Sequence, residues 1–313
     1  MDFYIKILQM VLPVLISLVI GSLCNKKGIL TLNGVSALKT VIGKITLPVV
    51  LFNAFFTANY SSDMLLIFVV IYICCFIALV LGFLLKRFVK PFDKFFPFLL
   101  TGFEGGMLGY ALFALLAGNE NISNFAMVDI GQTVFAYTVF LTALTVTVGE
   151  KATVKGTLKN MFTNNAFIGM FLGIVLGISG LSTIIISSPF GGIITELTSF
   201  LSAPTACLIL IVVGFEISLK KEVLFPVLKT TIIRLLVMLS LLSLSTFIIF
   251  SFIPFDKNLF IALMILFSLP APFITPIFAD VGNDGEYIGA TYSVHTLVTI
   301  GIFVIISVYS TIN

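Results

Sequence analysis

Ten apolar stretches, each about as long as a bilayer is thick, follow one another along this chain of 313 residues. They run roughly over 5–23, 35–57, 65–85, 95–117, 124–148, 166–187, 193–217, 227–252, 258–279 and 287–310. A helix crossing the hydrocarbon core needs about 20 largely apolar residues, because each adds about 1.5 Å of rise. Only 10% of the residues are charged and 59% are apolar, against about 25% charged in soluble domains. A water-soluble fold could not bury so much apolar surface. In hydrocarbon every backbone polar group needs an internal partner, so the stretches are expected to be helices. The spacing shows none of the short alternating segments of a barrel. The fold class expected is an all-α, multi-pass membrane protein.

The first stretch, Ile7 to Leu23, follows Lys6 and Asp2 and lacks a small-x-small cleavage site, so it reads as a retained span rather than a signal peptide. Lysine and arginine then orient the chain. Lys26 and Lys27, then Lys86, Arg87, Lys90 and Lys94, then Lys151, Lys155 and Lys159, then Lys220 and Lys221 all fall on one side. By the positive-inside rule that side is cytoplasmic, which puts both termini outside the cell membrane. Asp280, Asp284 and Glu286 lie in a loop on that same side, but acidic residues weigh little in the rule.

The basic connection 149–163 divides the chain into five-span sets, 1–148 and 164–313. Five is odd, so two similar halves would have opposite orientations in the membrane, the inverted-repeat plan of many secondary transporters. Gly21 and Gly177 are 156 residues apart, as are Pro48 and Pro204. The fourth span of each half is interrupted. One reads Thr101-Gly102-Phe103-Glu104-Gly105-Gly106-Met107-Leu108-Gly109, the other Ser268-Leu269-Pro270-Ala271-Pro272-Phe273-Ile274-Thr275-Pro276. Prolines remove helical donors and glycines favour unwinding. Broken backbone at membrane depth persists only where it faces protein or a water-filled cavity. Gly and Pro also serve as simple kinks and packing contacts, but two clusters at matching depth point to a binding site at the midplane.

The amides that open a half-helix carry partial positive charge and suit a substrate carboxylate. Backbone around Gly105, Gly106, Ala271 and Phe273 is expected to supply them, with Asn53, Gln132, Thr275 and Tyr110 orienting the ligand. Glu104 is the sharpest single residue, since a charge at the bilayer centre costs about 2.5–3.5 kcal/mol on insertion scales. It is expected to face a cavity and carry a proton, which would also remove its repulsion of a substrate anion. His295, the sole histidine, could relay that proton or pair with Glu104, or simply pack. Asp129 reads as an interfacial carboxylate. Lys229 and Arg234 read as snorkelling side chains near the cytoplasmic end of a span. Lys39 and Lys44 read likewise, with Lys44 the deeper and an alternative anion-steering charge. Asp280 and Asp284 read as helix caps or cytoplasmic-mouth residues. Cys24, Cys74, Cys75 and Cys207 lack metal-ligand spacing and read as reduced, buried thiols. No cofactor is expected beyond a coupling H+ or Na+, the alternative carrier reading being sodium-coupled or facilitated transport with sodium on the carbonyls of Gly102–Gly105 and Ser268–Pro270. No basic run with interleaved aromatics suggests nucleic acid. With one histidine, no HExxH and no paired membrane aspartates, an intramembrane enzyme is not expected. A non-transporting sensor remains the other class.

The sequence resembles the auxin efflux carrier family, the PIN-like carriers with many bacterial members. The resemblance rests on Pro13 and Gly21, Ile45-Thr46-Leu47-Pro48 with Leu51-Phe52, Gly106-Met107-Leu108-Gly109, Gly214 and the Pro-rich ninth span. It covers essentially the whole chain. It implies ten helices in two inverted five-helix repeats, with helices 4 and 9 broken and crossing. It further implies a scaffold of helices 1, 2, 6 and 7, a transport unit of helices 3–5 and 8–10 working as an elevator, and a homodimer. The implied substrate is a small organic anion such as malate or another carboxylate. An asparagine is common in the family where this chain has Glu104, and a proline where it has Ala111.

Overall fold

The computed structural model describes residues 2–58, 60, 62–149, 153–218, 221–279 and 281–312. Helix dominates and no strand occurs among them. In chain order the helices are α1 (Asp2–Lys26), α2 (Leu32–Phe56), α3 (Ser62–Leu85), α4 (Phe96–Leu100), α5 (Tyr110–Ala117), α6 (Ile122–Thr147), α7 (Val154–Thr163), α8 (Asn165–Ile178), α9 (Leu181–Ser187), α10 (Gly191–Glu216), α11 (Leu224–Phe252), α12 (Lys257–Ser268), α13 (Thr275–Phe278) and α14 (Gly285–Ile312). Seven segments of the described residues are individually long and apolar enough to cross a bilayer. The bent pair of α8 and α9 makes an eighth. Large apolar side chains point outward from α1 (Leu8, Leu12, Ile16, Val19) and α11 (Leu236, Leu239, Phe247). In water such a surface would drive association; in a bilayer it is the contact with lipid. The protein is membrane-embedded.

Two helix pairs approach backbone to backbone. α1 packs along the Thr205–Glu216 half of α10, and α8 along the Leu47–Phe56 half of α2. Glycine makes both approaches possible. A Cβ on Gly21 would lie 2.1 Å from the Ile211 carbonyl oxygen, and one on Gly177 2.9 Å from that of Phe55. Across from them α3 packs on α6, while α11 lies against α3, α12 and α14.

Pro48 explains the shape of α2. It has no N–H to bond the Lys44 carbonyl one turn earlier. The helix widens into a π-turn at Ile42–Thr46, and Asn165 Nδ2 at the start of α8 donates to Lys44 O at 3.1 Å. Further π-turns occur at Gly105–Gly109 and Ala136–Phe140.

Several expectations need correction. The sixth span is not one rod: Gly180 takes φ +73°, ending α8, and α9 departs at 84°. The connection 149–163 is not merely a loop, since Thr153 caps α7 by accepting from Gly156 N at 3.1 Å. Of the four cysteines only Cys74 and Cys75 are buried; Cys24 is half-buried and Cys207 exposed. Lys229 is exposed, but Arg234 is 4% exposed and does not snorkel. Lys151, Lys220 and Asp280 lie outside the described residues, and Asp284 closes the short turn Gly282–Asp284 before α14.

Candidate functional site

Between α4 and α5 the chain runs unwound through Thr101–Glu104, and between α12 and α13 through Leu269–Ile274. The two unwound segments touch. Glu104 N donates to Pro270 O at 2.9 Å, and Phe273 N donates to Glu104 Oε2 at 2.7 Å. Gly102 permits the approach: its φ is +71°, and a Cβ there would sit 2.8 Å from Pro272 Cγ.

Carbonyls freed by unwinding must be satisfied inside the protein or by water, and several of them bond to side chains of α11 and α14. Thr299 Oγ1 donates to Ser268 O, and Tyr292 Oη to Pro272 O at 2.9 Å, both from α14. Arg234 of α11 donates through Nη1 to Leu99 O at 3.1 Å. Its Nη2 donates to Gly102 O at 2.7 Å and Leu269 O at 2.9 Å. Its guanidinium also lies over the Phe103 ring, 5.7 Å from the centroid. Sequence reading misplaced this residue, because Arg234 sits ten residues into a 29-residue helix and nothing in a linear pattern announces two distant carbonyl sets as its partners.

A cavity of about 690 Å³ opens beside the contact between the two unwound segments. Its inner wall holds Glu104, Asp129, Gln132, Tyr137, Tyr292 and Thr296, with Gly106 and Phe273. The exposed residues Asn25, Leu32, Lys39 and Glu216 mark its mouth, at the ends of α1 and α10 and the start of α2. All three π-turns of the described residues border it, through Ile42 and Gly43, Gly106, and Ala136 and Tyr137. Such turns recur at functional sites because they re-aim side chains.

Asp129 is not interfacial: it is 2% exposed and lines the cavity. Gln132 Nε2 donates to its Oδ1 at 2.7 Å; Thr133 Oγ1 and Tyr110 Oη each donate to its Oδ2 at 3.2 Å. Gly105 packs on this carboxyl, since a Cβ would meet Asp129 Oδ1 at 2.2 Å. The i, i+3 and i, i+4 spacing of Asp129, Gln132 and Thr133 was a readable signal of one helical face. Among the expected ligand residues, Glu104, Gly106, Gln132 and Phe273 border the cavity. Tyr110, Gly105, Ala271 and Thr275 are buried behind its wall. Asn53 faces α10, where its Oδ1 accepts from Thr198 Oγ1 at 3.3 Å. His295 borders a small recess with Arg234 and Leu269 rather than the cavity that Glu104 lines. Of the two lysines in α2, Lys39 faces the mouth, ion-paired with Glu216; Lys44 is exposed away from it.

No protein-family model matches the chain, and no curated protein matches it.

Proposed function

We propose that the protein is a secondary carrier, not an enzyme, that moves a small organic anion such as malate or another mono- or dicarboxylate by proton-coupled alternating access. The observation that carries this reading is the cavity beside two crossed, unwound segments, with Glu104 and Asp129 in its wall. Unwound backbone at membrane depth is costly unless it is buried in protein or lines a water-filled cavity, and here Glu104, Pro272 and Phe273 of the two segments border the cavity. Adding the two interrupted segments to the eight uninterrupted or bent ones gives ten spans. The swapped glycine contacts support an inverted repeat: Gly21 meets Ile211 and Gly177 meets Phe55, and both partners are related by the same 156 residues. On this reading α1, α2, α8 and α10 form the scaffold of a homodimer, and the remaining membrane helices slide against it. The cavity mouth faces the cytoplasm, both termini face outside, and the chain is a member of the auxin efflux carrier family.

Charge in the cavity argues for the proton. Among the described lining residues the acids are Glu104, Asp129 and Glu216, and the base is Lys39, already paired with Glu216. A substrate carboxylate about 6 Å from an ionised carboxylate would be opposed by roughly 3 kcal/mol at an effective dielectric of 20. Protonating the wall removes that opposition, so anion and proton enter together. The same two acids favour a second reading, an organic-cation/proton antiporter, in which the amine replaces the proton. Proteoliposome uptake under an imposed pH gradient separates them: the anion carrier takes up labelled dicarboxylate when the outside is acidic, whereas an antiporter takes up labelled amine when the inside is acidic. Glu104→Gln is expected to abolish the pH-driven component and Asp129→Asn to weaken it by about tenfold, the effect of losing one charged hydrogen-bonding group. Undiminished proton coupling in both variants would remove these residues from the mechanism.

A further inference from the structure

The crossing has two kinds of end. On one side the Phe273 amide, in the unwound segment before α13, donates to the Glu104 carboxylate. On the other, where α4 and α12 stop, carbonyl oxygens point toward the crossing and carry partial negative charge. Broken helices that present unwound carbonyls in a membrane offer the donor set that a carrier uses to hold a transported alkali-metal cation. Here five of those carbonyls already accept a hydrogen bond from the protein. Gly102 O and Leu269 O accept from Arg234, Ser268 O from Thr299, Pro270 O from Glu104 N, and Glu104 O from Leu108 N and Gly109 N.

We propose that Arg234 is a built-in substitute for a coupling cation: its guanidinium clamps the carbonyl ends of both broken helices, so the transport cycle needs no sodium or potassium at the crossing. Three features make a guanidinium fit for this. Its planar fork reaches carbonyls on two chain segments at once, which a point charge on a flexible stem does less well. Its charge is permanent, so the clamp persists when the cavity acids gain or lose protons. It is seated rather than passing through, buried against Phe103 and donating to Leu99, Gly102 and Leu269. Arg234 is thus a positioning residue: it acts on a solute only through the two segments it holds. The inference rests on the carrier reading for its transport consequence, but the clamp itself can be measured without transport.

The test uses full-length purified protein, wild type, Arg234→Lys and Arg234→Gln, in two assays. In proteoliposomes, uptake of labelled dicarboxylate driven by an inward pH gradient is compared in sodium, potassium and choline media. In detergent, melting temperature is compared in the same salts and with millimolar guanidinium. Wild type is expected to be indifferent to the cation in both assays. Arg234→Gln, which keeps donors but loses the charge, is expected to lose uptake by about tenfold or more. It should also melt lower, and regain melting temperature with guanidinium or sodium. Arg234→Lys, which keeps the charge, is expected to fall between. Sodium dependence of the wild type overturns the proposal even if no variant folds. A Gln variant that melts like wild type, or melts lower yet ignores every added cation, overturns it too. Wild-type vesicles that take up no acid in any medium sink the carrier reading instead, and the melting series still decides the role of Arg234.

Discussion

Gly102 shows how much one position can demand. Its backbone lies at φ +71°, which costs a residue with a Cβ about 1–2 kcal/mol, and the added carbon would meet Pro272 at 2.8 Å. Gly102→Ala is therefore expected to lower the melting temperature of the purified protein. Gly301→Ala, in the interior of α14 with open space around its Cβ, should raise it or leave it unchanged, because the unfolded chain loses freedom. The reverse order would contradict the geometry at the crossing. Single charges were unevenly legible. Glu104 stood out because it interrupts an apolar run between glycines. Asp129 and Arg234 did not, since each lies near the expected end of a span, where exposure is the ordinary outcome. Their burial depends on partners far away in sequence: Tyr110 for Asp129, and Leu99, Gly102 and Leu269 for Arg234.

Interruptions are the best-written feature at the level of the element. The glycines of 102–109 and the prolines of 270–276 predict unwinding; the chain unwinds at Thr101–Glu104 and Leu269–Ile274, while Gly105–Gly109 forms a π-turn and Thr275–Phe278 a short helix. Pro48 was equally visible, but its consequence was not: the π-turn at Ile42–Thr46 depends on Asn165, which lies 121 residues beyond Lys44 and bonds the carbonyl that the proline leaves open. Asn165→Ala should cost about 0.5–1.5 kcal/mol of stability, the ordinary worth of such a bond. In a Pro48→Ala background, where the helix can supply its own donor, the same change should cost less. A double-mutant cycle by thermal melting measures the difference, and strict additivity would refute this account of the turn. The bend at Gly180 and the helix Val154–Thr163 escaped notice because polar connections do not declare which of their residues will cap. Thr153 and Gly180 are the signals that were there to be read.

For the molecule as a whole, composition settled the solvent and thereby the fold class, while the way the helices partition around a cavity came only from three-dimensional contacts. The proposed orientation has a direct consequence. With the four native cysteines replaced by alanine, Ser293→Cys on the cavity wall is expected to react with a membrane-impermeant thiol reagent in inside-out vesicles and far less in right-side-out ones. Saturating dicarboxylate should slow the labelling by occupying the cavity. Equal labelling from both faces would contradict a cavity with a single cytoplasmic mouth.

The ion pair between Lys39 and Glu216 stands at that mouth. A lone lysine there would broadcast a field that draws anions in from a Debye length away. Mated to a carboxylate, Lys39 adds almost no net field of its own, and the pull on anions is left to the basic residues around the opening, such as Lys26 and Lys27 beside Asn25. The pair itself therefore selects nothing, and the choice among solutes that reach it falls to the inner wall.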